Sequence, residues 1–334
     1  MSGVTLYVKE QGATVRRTHE RLLVVKDDEL LATVRLRELE RVVLFGSVQL
    51  TSAAMVALLE AGIETSILSL SGRLRGRLAP ADSKNIFLRQ AQFRRYDDME
   101  FRLTLARTIV EAKIRNARVI VQRHHRNHPS PVLEQTSEQL ERMRARVSAQ
   151  TNLDSLLGAE GEAAKAYFAA LGTMVRSEFA FTGRTRRPPG DPVNALLSFG
   201  YTLFLSESAG AVASAGLDPH VGYLHDLSYG RPSLALDLVE EFRQPVIDRL
   251  VLSLVNRGVI APEHFDNRGK AGVLLNDQGR PRFLEFYHRT MSASFPDGGA
   301  PAQPCTFRTL LQRQAGRLRQ AILGEADYEP FAAR

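Results

Sequence analysis

Between Thr5 and Leu78 the apolar residues fall in short β-branched runs: Arg21-Leu-Leu-Val-Val-Lys26, Leu31-Ala-Thr-Val-Arg-Leu36 and Val42-Val-Leu-Phe45. Glycine and acidic turns separate them, and runs of this length and branching predict strands. One helix interrupts the series after Thr51, where Ala54, Val56, Leu59 and Ala61 recur near helical spacing and Gly62 supplies a stop signal. The strand pattern resumes over Ile63 to Ser69, and Arg73 to Leu78 adds one more strand. Residues 1–80 therefore read as a small β-rich domain with an embedded helix.

The pattern changes at Ala79-Pro80-Ala81-Asp82. From Lys84 onward strand signals nearly vanish in favour of long helix-compatible segments, with Gly/Pro-rich, mixed sequence from Gly258 to Pro304 and a closing amphipathic helix over Phe307 to Leu323. The expected class is α+β: a small N-terminal β-rich domain over 1–80 followed by a larger, mainly α-helical domain over 81–334. A chain of 334 residues with 44% hydrophobic and 24% charged residues has the composition of folded domains, which excludes disordered, collagen-like and disulfide-scaffold classes. Its one cysteine, Cys305, forms no internal disulfide and no cysteine metal site. The longest uncharged run, Pro192 to Ser206, is closed by Glu207, and the start lacks a signal-peptide pattern. The expectation is a cytoplasmic protein with no membrane span.

Charge sharpens the picture. The chain carries a formal +7, from 44 Lys+Arg against 37 Asp+Glu. The segment Lys84 to Arg126 alone holds 11 Lys/Arg against 4 acids, an excess equal to that of the whole chain. Such a segment is either a solvated helix face or a phosphate-facing surface. Arg184-Thr-Arg186-Arg-Pro-Pro189 adds a basic loop, and Arg231 lies in the Gly230-Arg231-Pro232 turn. The cluster Arg123-His-His-Arg-Asn-His128 resembles a metal tract, but its arginines disfavour a cation and suit a basic helix end.

Candidate chemistry concentrates between Tyr223 and Arg243. With Ser233 as helix cap, Leu234, Leu238 and Phe242 form an apolar stripe, and Asp237, Glu240 and Glu241 stand beside it at i, i+3 and i+4. Three like charges on one face repel, which invites a neutralising cation, although acids early in a helix also favour its dipole. His225 precedes the Gly230-Arg231-Pro232 turn and is either a packed histidine or a ligand beside those acids. Upstream, Glu160 shares a helix face with Ala164, Tyr167 and Leu171, toward the core, while Glu162 points about 200° away, to the surface. No Walker loop, nucleophile elbow or zinc-finger spacing is present.

These residues resemble those of a known family. Gly216-Leu-Asp-Pro219 through Phe242, with Gly230-Arg-Pro-Ser-Leu-Ala-Leu-Asp237-Leu-x-Glu-Glu-Phe-Arg243 at its centre, is similar to the CRISPR-associated Cas1 integrases. So are Gly158-x-Glu160-Gly161, Lys113-Ile-x-Asn116 and Pro189-x-Asp191-Pro192-Val-Asn194-x-Leu-Leu-Ser-x-Gly200-Tyr201. The likeness covers roughly residues 85 to 260. It implies a β-domain dimer joined to helical catalytic domains, acting on double-stranded and branched DNA with Mg²⁺ or Mn²⁺ and with a small ferredoxin-fold CRISPR partner. The family's metal ligands fall on Glu160, His225 and Glu240, with Asp237 near the metal. The DNA-facing set is assigned to Lys113, Arg115, Arg118, Arg186 and Arg231. The implied reaction is phosphodiester cleavage and strand transfer by a DNA 3′-hydroxyl, inserting short foreign DNA as a spacer. A non-catalytic DNA scaffold and a hydrolase of small phosphate esters are the competing classes.

Overall fold

The computed structural model describes residues 4–70, 72, 74–78, 85–185, 188–296 and 304–333. The chain divides into two compact units, Met1–Asp82 and Ser83–Arg334.

The first unit contains β1 (Val4–Val8), β2 (Thr14–Thr18), β3 (Arg21–Lys26), β4 (Glu29–Arg35), β5 (Leu39–Phe45), β6 (Gln49–Leu50), α1 (Ser52–Glu60), β7 (Glu64–Leu68) and β8 (Leu74–Leu78). One sheet runs β1-β5-β7-β8, with β1, β5 and β7 parallel and β8 antiparallel to β7. The other runs β4-β3-β2-β6. Alternation along β3 buries Leu22 and Val24, which join Leu6, Val15, Val42, Leu44 and Leu58 in one apolar core. Thr51 caps α1 by accepting from the Ala54 N–H, as its position before the periodic residues predicts.

The second unit is helical: α2 (Ile86–Asp97), α3 (Met99–Asn127), α4 (Pro131–Arg146), α5 (Leu153–Met174), α6 (Pro192–Ser214), α7 (Ser233–Glu240), α8 (Arg249–Asn256), α9 (Gly279–Ser292) and α10 (Phe307–Leu323). Asp98, Asn152, Asp191 and Thr306 each accept from a backbone N–H three residues on, which fixes where α3, α5, α6 and α10 begin. The 23-residue α6 is long and apolar enough to cross a membrane by length and composition, at a mean hydropathy of 1.2. It is instead a core helix, 83% buried over that stretch, and its Glu207 pairs with Arg308 of α10 at 3.0 Å. In the region read as irregular, α9 forms because Gly279 and Pro281 lie in its first turn, where proline is tolerated. After α10 the chain continues without regular structure to Ala333, packed along α3, α7 and α10.

Candidate active site

The long helix α3 packs against α5 and α7, and this arrangement brings together residues from three distant stretches. Lys113 of α3 is buried, and its ammonium lies between two carboxylates. It donates to Glu160 Oε1 of α5, and it forms an ion pair with Glu240 Oε2 of α7 at 2.5 Å, at an angle outside a regular hydrogen bond. Arg243 closes on the other oxygen of Glu240 at 3.3 Å and stacks over the Tyr201 ring. Burial alone would raise the Glu240 pKa, but the positive charges of Arg243, Lys113 and His225 outweigh it and hold the carboxyl at about 2. Glu240 is therefore a carboxylate at any physiological pH.

His225 is held by a different device. Asp237, fully buried on α7, receives the backbone N–H groups of Tyr223 (2.6 Å), Leu224 (3.0 Å) and His225 (2.9 Å), so one side chain folds the loop ahead of the helix. The same carboxylate lies 2.8 Å from His225 Nδ1. That contact favours the Nδ1–H tautomer and leaves Nε2 as the ring's acceptor nitrogen. Burial pulls the His225 pKa down, but the hydrogen bond and charge of Asp237, with the charge of Glu240, raise it on balance. Gly222 lets the loop pass close to α7: a Cβ there would stand 2.6 Å from the Ser233 carbonyl carbon.

The structure places the other expected residues as follows. Glu162 is exposed, on the face opposite Glu160. Ser233 begins α7 but makes no cap bond; its hydroxyl donates to the Asp226 carbonyl instead. Asp237, Glu240 and Glu241 do not form a shared outer face, because α7 is buried along its length. Glu241 turns toward the C-terminal tail. It accepts from Tyr328 Oη at 2.5 Å, from the Phe331 N–H and from Gln314 Nε2 at 3.2 Å, and burial pushes its carboxyl up to about 7 despite those donors. Asn116 ties the same parts together by donating to the Glu241 carbonyl (2.7 Å) and the Phe331 carbonyl (2.9 Å).

Of the residues assigned to DNA, Lys113 lies inside the carboxylate site, not on a surface. Arg115 donates to the Phe331 carbonyl at 3.1 Å, and Arg118 binds the Ser137 carbonyl and Glu141. Arg231 donates to Ser233 Oγ and to the Asp226 carbonyl within its own loop. Arg186 lies outside the described residues. Sequence reasoning missed Arg243, whose i+3 spacing from Glu240 was the available signal, and Asp248, a buried carboxylate bonded to Tyr201 and raised to about 6 by burial.

Among the described residues, no three His, Cys, Asp or Glu side chains converge as a ready metal cage. The donor set nevertheless fits a hard divalent cation. Glu160 and Glu240 supply ionisable oxygens, His225 presents Nε2 from an Asp-held ring, and the space between the two glutamates already accommodates a cation, the Lys113 ammonium.

Known proteins resemble this chain over nearly its whole length. The family model described as "CRISPR associated protein Cas1" matches residues 6–289. A "CRISPR-associated endonuclease Cas1" of Thermus thermophilus is 38% identical over 332 residues, covering 98% of this chain and 99% of the relative. The solved structure of a CAS1 protein from Thermotoga maritima superposes with a TM-score of 0.83 at 26% identity, covering 98% of this chain and all of that one. A chain of a "Cas6-RT-Cas1–Cas2 complex" superposes at 0.81 with 28% identity; this chain spans 98% of itself and 36% of that longer polypeptide. With matches that run nearly end to end, the chain belongs to the CRISPR-associated Cas1 family.

Proposed function

We propose that the chain is a divalent-metal-dependent DNA endonuclease and integrase that inserts short foreign DNA into a CRISPR array. The observation that carries this reading is the convergence of Glu160 and Glu240 on one cation position, beside an imidazole oriented by Asp237. Glu160, Glu240 and His225 Nε2 would hold Mg²⁺ or Mn²⁺. When bound, such an ion polarises a phosphodiester and lowers the pKa of a water or DNA 3′-hydroxyl.

The chain's own residues prepare that site. Arg243 and Lys113 keep Glu240 ionised, as a ligand must be. Asp237 fixes the His225 ring and its tautomer while its other bonds hold the loop. Lys113 neutralises the paired glutamates and would have to release at least one of them for a divalent cation to take up the position between them. A scaffold without catalysis would need none of these buried charges, whose desolvation is costly even when they are paired.

The assembly follows the family: a homodimer joined through the β-rich unit, working in the cytoplasm on double-stranded and branched DNA with a small ferredoxin-fold partner. The likeness to a chain of a solved complex that contains Cas2 supports such a partner. The test is Mn²⁺-dependent cleavage of branched DNA and strand transfer by purified variants. Alanine at Glu160, His225 or Glu240 should remove both activities with DNA binding nearly intact, and Glu162→Ala should remain active. Full activity in His225→Ala would overturn the mechanism.

A further inference from the structure

A cavity of about 1020 Å³ opens at the C-terminal end of α3, bounded by α8, α9 and the tail. Arg123, Arg176, Arg249, Arg257 and Arg289 line it together with His124 and His128, and among the described residues no aspartate or glutamate does. Lys113 and Arg123 are ten residues apart on one helix, so at 1.5 Å per residue the cavity begins about 15 Å along α3 from the carboxylate site.

The charges in this wall are poorly compensated. Arg289 is paired, with Glu285 at 2.7 Å. Arg123, Arg249 and Arg257 make no ion pair among the described residues, although surface arginines elsewhere in the unit do, such as Arg118, Arg142 and Arg144. Arg249 reaches solvent through the mouth, yet the surrounding protein and the like charge of Arg123 depress its pKa. Arg176 Nη1 contacts His128 Nδ1 at 3.3 Å, and the buried His124 Nε2 has no hydrogen-bond partner. Like charges gathered in a concavity repel one another, and an anion between them reverses the sign of every pairwise term.

The floor narrows the choice of anion. Phe286, Phe295 and Phe331 are half-buried there, beside Phe307. Arginine forks match phosphate geometry, and phenyl faces stack on unpaired bases. The volume lies at the upper end of small-ligand cavities, enough for a nucleotide or two. We infer that this cavity is a second nucleotide site, holding a nucleoside phosphate with its phosphate on Arg123 and Arg249 and its base on the phenylalanine floor. The inference rests on the DNA-processing reading only for the source of that nucleotide, an unpaired stretch of a DNA strand.

The test uses the full chain with two probes, a fluorescent dT8 strand and free dTMP as its competitor, measured by anisotropy at several salt concentrations. In Arg123→Gln/Arg249→Gln, dT8 affinity should fall at least tenfold. The slope of log affinity against log salt should shrink by about 0.7, the value for the one single-strand phosphate that the two arginines hold. Arg257→Gln, on an exposed side chain, should weaken binding severalfold without touching the fold, and a circular-dichroism melt checks all variants. Glu162→Ala, on an exposed residue outside both sites, should bind dT8 as wild type does. Competition by dTMP at affinity equal to that of dT8 supports the site and assigns it to free nucleotides, whereas weak competition assigns it to a strand. Unchanged affinity for both probes in the folded double variant overturns the inference. If wild type cleaves no branched DNA while the double variant still loses dT8, the nuclease reading fails and the cavity stands.

Discussion

Lys113→Met is the most informative single change. The ammonium lies 2.5 Å from Glu240 Oε2 and bonds Glu160, and its removal leaves Glu240, only 2% exposed, with Arg243 at 3.3 Å as its nearest cation. Removing one partner of a buried pair strands the other charge, at a cost of about 3–5 kcal/mol. In a body of this size, 1 kcal/mol moves Tm by roughly 2–4 °C, so the melt should drop by roughly 6–20 °C. The loss is electrostatic, hence recoverable in two ways. Adding Glu160→Gln should return at least about 1 kcal/mol, the scale of coupling between residues in contact. Mn²⁺ at 100 times its Kd should stabilise the single variant by about 2.7 kcal/mol, and wild type by less because its own cation competes. Urea unfolding of the four members of the cycle, with and without Mn²⁺, measures all of this. A Lys113→Met loss under 1 kcal/mol, or a double variant no more stable than the single one, would refute the idea that this lysine neutralises the two glutamates.

Three further changes probe the surroundings. Asp237→Asn should lower the His225 pKa, read by NMR titration, cost about 2 kcal/mol through the disturbed N–H bonds, and weaken metal binding about 10–100-fold. Gly222→Ala would set a Cβ 2.6–2.8 Å from the backbone of Ser233 and His225, so about 1–3 kcal/mol of stability and most activity should be lost, as a melt and a cleavage assay would show. Glu241, raised to about 7, favours the protonated form in the fold: its contribution is full below pH 4.5 and lost as pH rises through 7. Wild type should therefore lose about 3 kcal/mol relative to Glu241→Gln between pH 4.5 and 8 in urea unfolding, and a constant difference would contradict this.

Several of these features were legible in residue order. The β-branched runs before residue 80 are strands, and Phe307 to Leu323 is a helix with those bounds. Helical spacing separated the inward Glu160 from the exposed Glu162, because both lie on one regular helix. Lys113 was not legible: within a run of 11 basic residues nothing local marks which one faces the interior, and that depends on α5 and α7 arriving from 47 and more residues away. The stretch Asp237 to Glu241 shows the same limit. Its spacing suggested one charged face, but burial on all sides gives each acid a separate set of partners: a loop and an imidazole, a pair of cations, and the tail. Glycine and proline masked α9, since residues that break a helix interior are neutral in a first turn.

The tail has a consequence for how the polypeptide matures on the ribosome. Asn116 and Phe331 are hydrogen-bonded partners 215 residues apart, and Phe331 also satisfies Glu241 and stacks on Phe242 with ring centres 4.9 Å apart. At roughly 5–20 residues per second, translation separates the emergence of Asn116 from that of Phe331 by about 10–40 s. During that interval Glu241 is without the tail donors that hold it in the finished fold, and the end of α7 bearing Glu240 has no cover from Phe331. A nascent chain can thus complete its first unit early, while the end of α7 that carries Glu240 waits for Phe331 to emerge before it is closed.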